Sequence, residues 1–167
     1  MGIGYFSFEV LNPQWHYSNG SARINVCFTP GGNCTDLIIR EIKKAKSSIR
    51  IQVYSFTSRP IAEAIIEMAK KGIKVKLLGD KSLLKTPHSV LPLFRENRIP
   101  VQIDRVPGIA HNKVVIIDNS TIITGSFNFT NAAEERNSEN VLLIHDSEMA
   151  KHYLKNWEKR TKNHVSF

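Results

Sequence analysis

The sequence predicts an α/β fold, with a mixed central β-sheet flanked by helices on both faces. Three observations predict it. Strand-sized apolar runs alternate with segments of helical period through the first hundred residues. The runs Val114-Val115-Ile116-Ile117 and Val141-Leu142-Leu143-Ile144 are continuously apolar, as strands buried on both faces are. From His111 onward two strands follow each other closely and read as a hairpin, which makes the sheet mixed.

Taken in order, residues 1–22 read as an irregular segment, because Asn12-Pro13 and Ser18-Asn19-Gly20 interrupt any period. Residues 23–167 read as one domain, long enough to bury a core. Arg23 to Phe28 is a strand stopped by Pro30-Gly31-Gly32. Asn33 to Asp36 offers caps for a helix to about Lys46, with Leu37, Ile38, Ile42 and Ala45 on one stripe. Ser48 to Phe56 alternates as a strand, and Pro60 opens the next helix in its favoured position. That helix carries Ile61, Ala64, Ile65 and Met68 and stops at Lys70-Lys71-Gly72. Ile73 to Gly79 is a strand, Asp80 to Pro87 a polar loop, Val90 to Glu96 a short helix and Val101 to Asp104 a strand. Strands over 111–118, 121–128 and 139–145 follow. Ser147 to Lys162 closes the chain as a helix with Met149, Tyr153, Leu154 and Trp157 on its apolar face.

The net charge of +8 favours polyanionic partners, either nucleic acid or acidic lipid headgroups. No apolar run approaches the roughly 18–20 residues that span a bilayer. Met1-Gly2-Ile3-Gly4 lacks a basic stretch followed by a long apolar one, so no leader is visible. The two cysteines, Cys27 and Cys34, are too few for a zinc cluster; a bridge across a short loop and two free thiols both fit their spacing.

The chemistry concentrates in His111-Asn112-Lys113 and Gly125-Ser126-Phe127-Asn128. Side chains alternate along a strand, so His111 and Lys113 share one direction, as do Ser126 and Asn128. Paired as a hairpin, these strands gather four polar groups at the rim of a buried apolar strand. The residue types suit phosphate. Lys113 supplies a point charge, Ser126 a hydroxyl and Asn128 amide hydrogens. Gly125 permits close backbone approach, and His111 can attack or carry a proton near neutral pH. Asp118 has the opposite parity and is expected to hold the turn Asp118-Asn119-Ser120. Glu139, on a neighbouring strand, is a candidate acceptor for the His111 Nδ1–H, which would leave Nε2 as nucleophile.

The pattern His111-x-Lys113-x4-Asp118-x6-Gly125-Ser126-x-Asn128 resembles the HKD motif of the phospholipase D superfamily. Asn137-Ser138-Glu139-Asn140, Phe28-Thr29-Pro30-Gly31 and Ile51-Gln52-Val53-Tyr54-Ser55-Phe56 resemble the small bacterial Nuc-type endonucleases of that superfamily. The resemblance runs from about residue 24 onward. It implies a phospholipase D-like fold and a metal-independent phosphodiesterase without cofactor, in which the motif histidine forms a phosphohistidine and a second histidine protonates the leaving oxygen. It also implies that Glu139 pairs with the histidine.

Large members carry two such motifs and this chain has one, so a homodimer is expected to bring two copies of His111 to one shared site. The function expected is endonucleolytic cleavage of DNA, single-stranded by preference, with duplex and RNA as further substrates and little sequence preference. The rivals are hydrolysis of an anionic phospholipid such as cardiolipin, and a non-catalytic nucleic-acid-binding module. The bacterial periplasm or cell envelope is the expected location. Lys70-Lys71, Lys74-x-Lys76 and Lys81-x3-Lys85 are candidates for a groove along a nucleic-acid strand, with Arg59 and Arg136 as further phosphate contacts. His16, His88, His145, His152 and His164 read as structural or surface residues, and Phe127 and Phe129 as packing beneath the strand.

Overall fold

The computed structural model of the chain describes residues 15–19, 22–162 and 164–166, with side chains over 22–162. The described strands are β1 (Trp15–Asn19), β2 (Ala22–Thr29), β3 (Ser48–Val53), β4 (Lys74–Asp80), β5 (Val101–Asp104), β6 (Lys113–Ile117), β7 (Thr121–Gly125), β8 (Glu139–His145) and β9 (His164–Ser166). The helices are α1 (Cys34–Ile42), α2 (Arg59–Lys70), α3 (Leu91–Glu96), α4 (Asn131–Glu135) and α5 (Ser147–Thr161). The strands form one sheet in the order β1-β2-β8-β7-β6-β3-β4-β5-β9. β3, β4 and β5 run parallel and the other pairings are antiparallel, so the sheet is mixed.

The two faces carry different layers. Ile49, Ile51, Val115, Ile117, Ile123, Val141 and Leu143 turn towards α1 and α2 and form the larger core with Phe56, Phe94, Phe127 and Phe129. Phe127 and Phe129 are each 2% exposed, as expected of residues packed beneath the strand. Leu78, Val114, Ile116 and Ile122 turn the other way and pack under α5 with Ala150 and Trp157. Strand parity explains this division, since neighbours in β6 alternate between the two cores.

Several elements differ from the sequence reading. Trp15–Asn19, inside the segment expected to be irregular, pairs antiparallel with β2, so backbone hydrogen bonding rather than periodicity makes this strand. The rest of that expectation falls largely on residues 1–14, 20 and 21, outside the described residues, as do the side chains of His16 and His164. The first helix ends at Ile42 rather than near Lys46, because the Asp118 carboxylate takes the N–H groups of Lys46, Ser47 and Ser48 at 2.7, 2.8 and 2.9 Å. β3 stops at Val53, β6 starts at Lys113 and β7 stops at Gly125, so these three strands are shorter than the ranges read from the sequence, whereas β8 spans the expected Glu139–His145. A 3-10 turn, Lys81–Leu84, occupies the expected loop after β4. α4 and β9 were not expected; α4 has a single turn capped by Thr130, whose Oγ1 accepts from Ala133 N at 3.2 Å. Met149, assigned to the apolar face of α5, is 44% exposed in the first turn, ahead of the buried Ala150.

Cys27 and Cys34 form a disulfide between β2 and the start of α1, which decides the alternative that their spacing leaves open. A disulfide fits an oxidising compartment. Among the described residues, no helix is long and apolar enough to cross a membrane.

Candidate active site

β3 and β4 end where β6 begins, since Val53 stands opposite Lys113. β7 ends and β8 begins at the same edge, with Gly125 opposite Val141 and Thr29 opposite Glu139. Every motif residue except Asp118 therefore gathers at one end of the sheet. His111 lies ahead of β6 and is exposed, whereas Lys113 is 6% exposed on the strand itself. The Lys113 Nζ donates to the His111 carbonyl oxygen at 2.9 Å and lies 5.3 Å from the Tyr54 ring centre, within cation–π range. Burial lowers the Lys113 pKa from its ordinary value, and the nearby Glu139 carboxylate works against that shift.

Tyr54 also meets the His111 ring edge-on, with centroids 4.5 Å apart. Tyr54 is fixed because the loop after β3 is tied to the loop after β7. Thr57 N and Ser58 N both donate to the Phe129 carbonyl, at 2.9 and 2.8 Å, and Phe129 N donates to the Ser55 carbonyl at 3.2 Å. The same ties hold Asn128, which is half-buried with its Oδ1 unpaired among the described residues.

Ser126 and Glu139 form the other flank. The Ser126 hydroxyl donates to Glu139 Oε2 at 2.5 Å and accepts from Asn140 N at 3.1 Å, while Asn137 Nδ2 donates to Glu139 Oε1 at 2.9 Å. The Glu139–His111 hydrogen bond expected from the sequence is therefore not formed among the described residues. Both carboxylate oxygens are engaged, and His111 precedes β6 rather than lying in it. Gly125 is required by the neighbouring strand. Its φ is +147°, and a Cβ there would come within 2.2 Å of the Asn140 carbonyl oxygen.

Asp118 lies at the far end of β6. It does not simply hold its own turn. Its Oδ1 accepts from Ser47 N, Ser48 N and the Ser47 hydroxyl, and its Oδ2 from Lys46 N, which ties the β6–β7 hairpin to the entry of β3. Asp118 and Asn119 have φ values of 51° and 56°, a left-handed geometry that Asp and Asn tolerate.

Two residues of the site escaped the sequence reading. Tyr54 was legible only as part of a strand. Asp80, 1% exposed, accepts from Ser82 N at 2.8 Å and from Ala110 N at 2.7 Å, and so fixes the backbone immediately before His111. Burial raises the Asp80 pKa, but the N–H groups of Ser82 and Ala110 outweigh it and hold the carboxyl below its ordinary value. Its sequence signal, an aspartate closing an apolar strand, reads equally as a turn.

The expected basic groove divides in two. Lys74 stands opposite Ser48, at the Asp118 end of the sheet, five residues or roughly 16 Å along β4 from the Lys113 level. Lys71, at the same end, pairs with Glu67 at 2.6 Å. Only Lys81 and Lys85 follow β4 at the site end. Arg59, after β3, pairs with Glu63 at 2.8 Å, and Arg136 is exposed shortly before Glu139.

A family model described as the PLD-like domain of cardiolipin synthase matches residues 38–161. The phospholipase D of Rickettsia prowazekii is 46% identical over 167 residues, covering 96% of this chain and 82% of that protein. The human mitochondrial cardiolipin hydrolase is 30% identical over 134 residues, covering 80% of this chain and 53% of that one. Among solved structures, a phospholipase D family member, Nuc from Salmonella typhimurium, superposes with a TM-score of 0.82 at 35% identity, covering 87% of this chain and 98% of that one.

Proposed function

This chain belongs to the phospholipase D superfamily, and from that premise we propose that it hydrolyses phosphodiesters through a covalent phosphohistidine on His111, with an anionic phospholipid as substrate. The observation that carries the chemistry is the gathering of His111, Lys113, Ser126 and Asn128 at one sheet end. The names of the relatives, phospholipase D and cardiolipin hydrolase, support the lipid over the DNA expected from the sequence.

In the reaction, His111 Nε2 attacks phosphorus and the bond to the leaving oxygen breaks. The leaving alkoxide takes a proton from the His111 of a second subunit. Water then attacks phosphorus and gives its proton to that second histidine, and the P–N bond breaks to release His111. Lys113, Ser126 and Asn128 hold the non-bridging oxygens, where charge builds in the transition state. Tyr54 and the Asp80–Ala110 bond position the imidazole. Glu139 acts through Ser126 and through its field on Lys113. A homodimer supplies the proton donor that one motif lacks, and the disulfide supports an exported location.

Nucleic acid is the second reading, favoured by the net charge of +8 and the Nuc-like fold. Phosphatidylglycerol or cardiolipin vesicles, single-stranded DNA, duplex DNA and RNA should be digested side by side in EDTA. Lipid hydrolysis is expected to dominate and to survive the chelator. Cleavage of oligonucleotides alone would transfer the reading to nucleic acid, and loss of all activity in EDTA would point to metal chemistry.

A further inference from the structure

His111 is delivered by a loop. β5 ends at Asp104, and Arg105 to Ala110 bring the chain back to His111 and β6. Pro107, Gly108 and Ile109 are exposed, and nothing lies within 4 Å of where a side chain on Gly108 would begin. Packing does little to fix the middle of this loop, so His111 is placed by what holds the two ends. At the His111 end, the Asp80 carboxylate accepts from Ala110 N at 2.7 Å. At the other end stands Arg160, in the last turn of α5. Its Nε donates to Asp104 Oδ2 at 3.0 Å, its Nη2 donates to Asp104 Oδ1, and the same Nη2 reaches the Arg105 carbonyl oxygen at 3.5 Å. Asp80 and Asp104 stand opposite each other in β4 and β5, so both anchors lie at one level of the sheet.

The ion pair does more than strap α5 to the sheet. Asp104 is 3% exposed, and burying an ion pair adds little stability over apolar residues of similar size. α5 is already docked by Ala150 and Trp157 in the smaller core, and Trp157 Nε1 donates to the Ile51 carbonyl at 3.4 Å. What apolar packing cannot supply is a planar fork that grips a carboxylate with two donors and reaches a loop carbonyl as well.

We propose that Arg160 is a positioning residue for the reaction. Through Asp104 and the Arg105 carbonyl it fixes the root of the loop, and so the place from which His111 attacks phosphorus. This role rests on the reading of His111 as nucleophile and is independent of whether the diester is a lipid or a nucleic acid.

The test is the first-turnover rate of p-nitrophenolate release from bis(p-nitrophenyl) phosphate, which reports attack by His111. It is measured against substrate concentration and per folded molecule, with a thermal melt alongside. Arg160→Lys keeps the charge and loses the fork. Asp104→Leu combined with Arg160→Met removes both charges, so that no buried carboxylate is stranded. Leu154→Ala is the control, because it loosens the packing of α5 in the smaller core and leaves both ends of the loop pinned. The lysine and double variants are expected to slow the maximal first turnover by about 10- to 100-fold, as misplacing a reacting group by about 1 Å does, with KM unchanged. Leu154→Ala is expected to melt earlier and to keep the wild-type rate. A wild-type rate in the double variant, a change confined to KM, or an equal loss in Leu154→Ala would overturn the positioning role. His111→Ala separates the two readings. Wild-type turnover in that variant would remove the nucleophile and the role of Arg160 together. An inactive His111→Ala beside a double variant as fast as wild type would remove the role of Arg160 alone.

Discussion

Burial works against the ammonium form of Lys113, yet the proposed phosphate site needs that charge. Three groups hold it: the His111 carbonyl, the Tyr54 ring and the Glu139 carboxylate. Replacing Lys113 by alanine is expected to slow turnover by about 100- to 1,000-fold, the usual effect of losing one transition-state donor. Steady-state hydrolysis with a thermal melt as folding control checks this; a loss under about tenfold would remove Lys113 from the phosphate site. At this scale the sequence was informative where chemistry dictates residue type. His111, Lys113, Ser126 and Asn128 were legible from spacing and Glu139 through the family resemblance, and the structure brings them to one sheet end. Tyr54 and Asp80 were not legible, because their roles depend on contacts between loops distant in sequence, a tyrosine edge on one imidazole and a carboxylate reaching across thirty residues to Ala110.

Among the elements, the β6–β7 hairpin carries the motif, and Asp118 anchors it at the end away from the site. Burial opposes its carboxylate, but the donors from Ser48, Lys46 and Ser47 outweigh that and keep its pKa below the ordinary 3.8. The sign follows directly. A depressed folded-state pKa contributes stability that is complete above the unfolded value and is lost as pH falls through the folded one. Asp118→Ala is therefore expected to cost about 2–3 kcal/mol at neutral pH, the scale of lost hydrogen bonds to a charged group. The gap from wild type should close below about pH 4. Denaturant unfolding from pH 7 to pH 2 measures it, and a constant gap across that range would contradict the linkage. Element boundaries were the weaker part of the sequence reading for the same reason. The helical stripe of α1 points onward to Ala45, but Asp118, more than seventy positions later, takes the N–H groups of Lys46 and Ser47 and ends the helix early. β1 has no apolar period of its own and exists through pairing with β2.

For the whole molecule, the mixed sheet and its two helical layers were foreseeable from alternating strand and helix periods, because burial on both faces leaves continuous apolar runs, whereas the strand order was not. The distribution of charge was not. A cluster of lysines in sequence is divided by β4, whose length carries Lys74 and Lys81 to opposite ends of the sheet. In the proposed mechanism activity turns on assembly, since one imidazole per chain cannot both attack and protonate. Sedimentation equilibrium is expected to give twice the chain mass. Mixing His111→Ala subunits into wild type should lower activity more steeply than dilution. An active species of single-chain mass would refute the shared site.

The proposed double displacement at His111 is tested most directly by the stereochemical course at phosphorus, followed through hydrolysis of a phosphodiester made chiral by oxygen isotopes. Attack by His111 and then by water inverts the centre twice, so net retention is expected. Net inversion would mean that water attacks the diester in a single step and that no covalent phosphohistidine lies on the path.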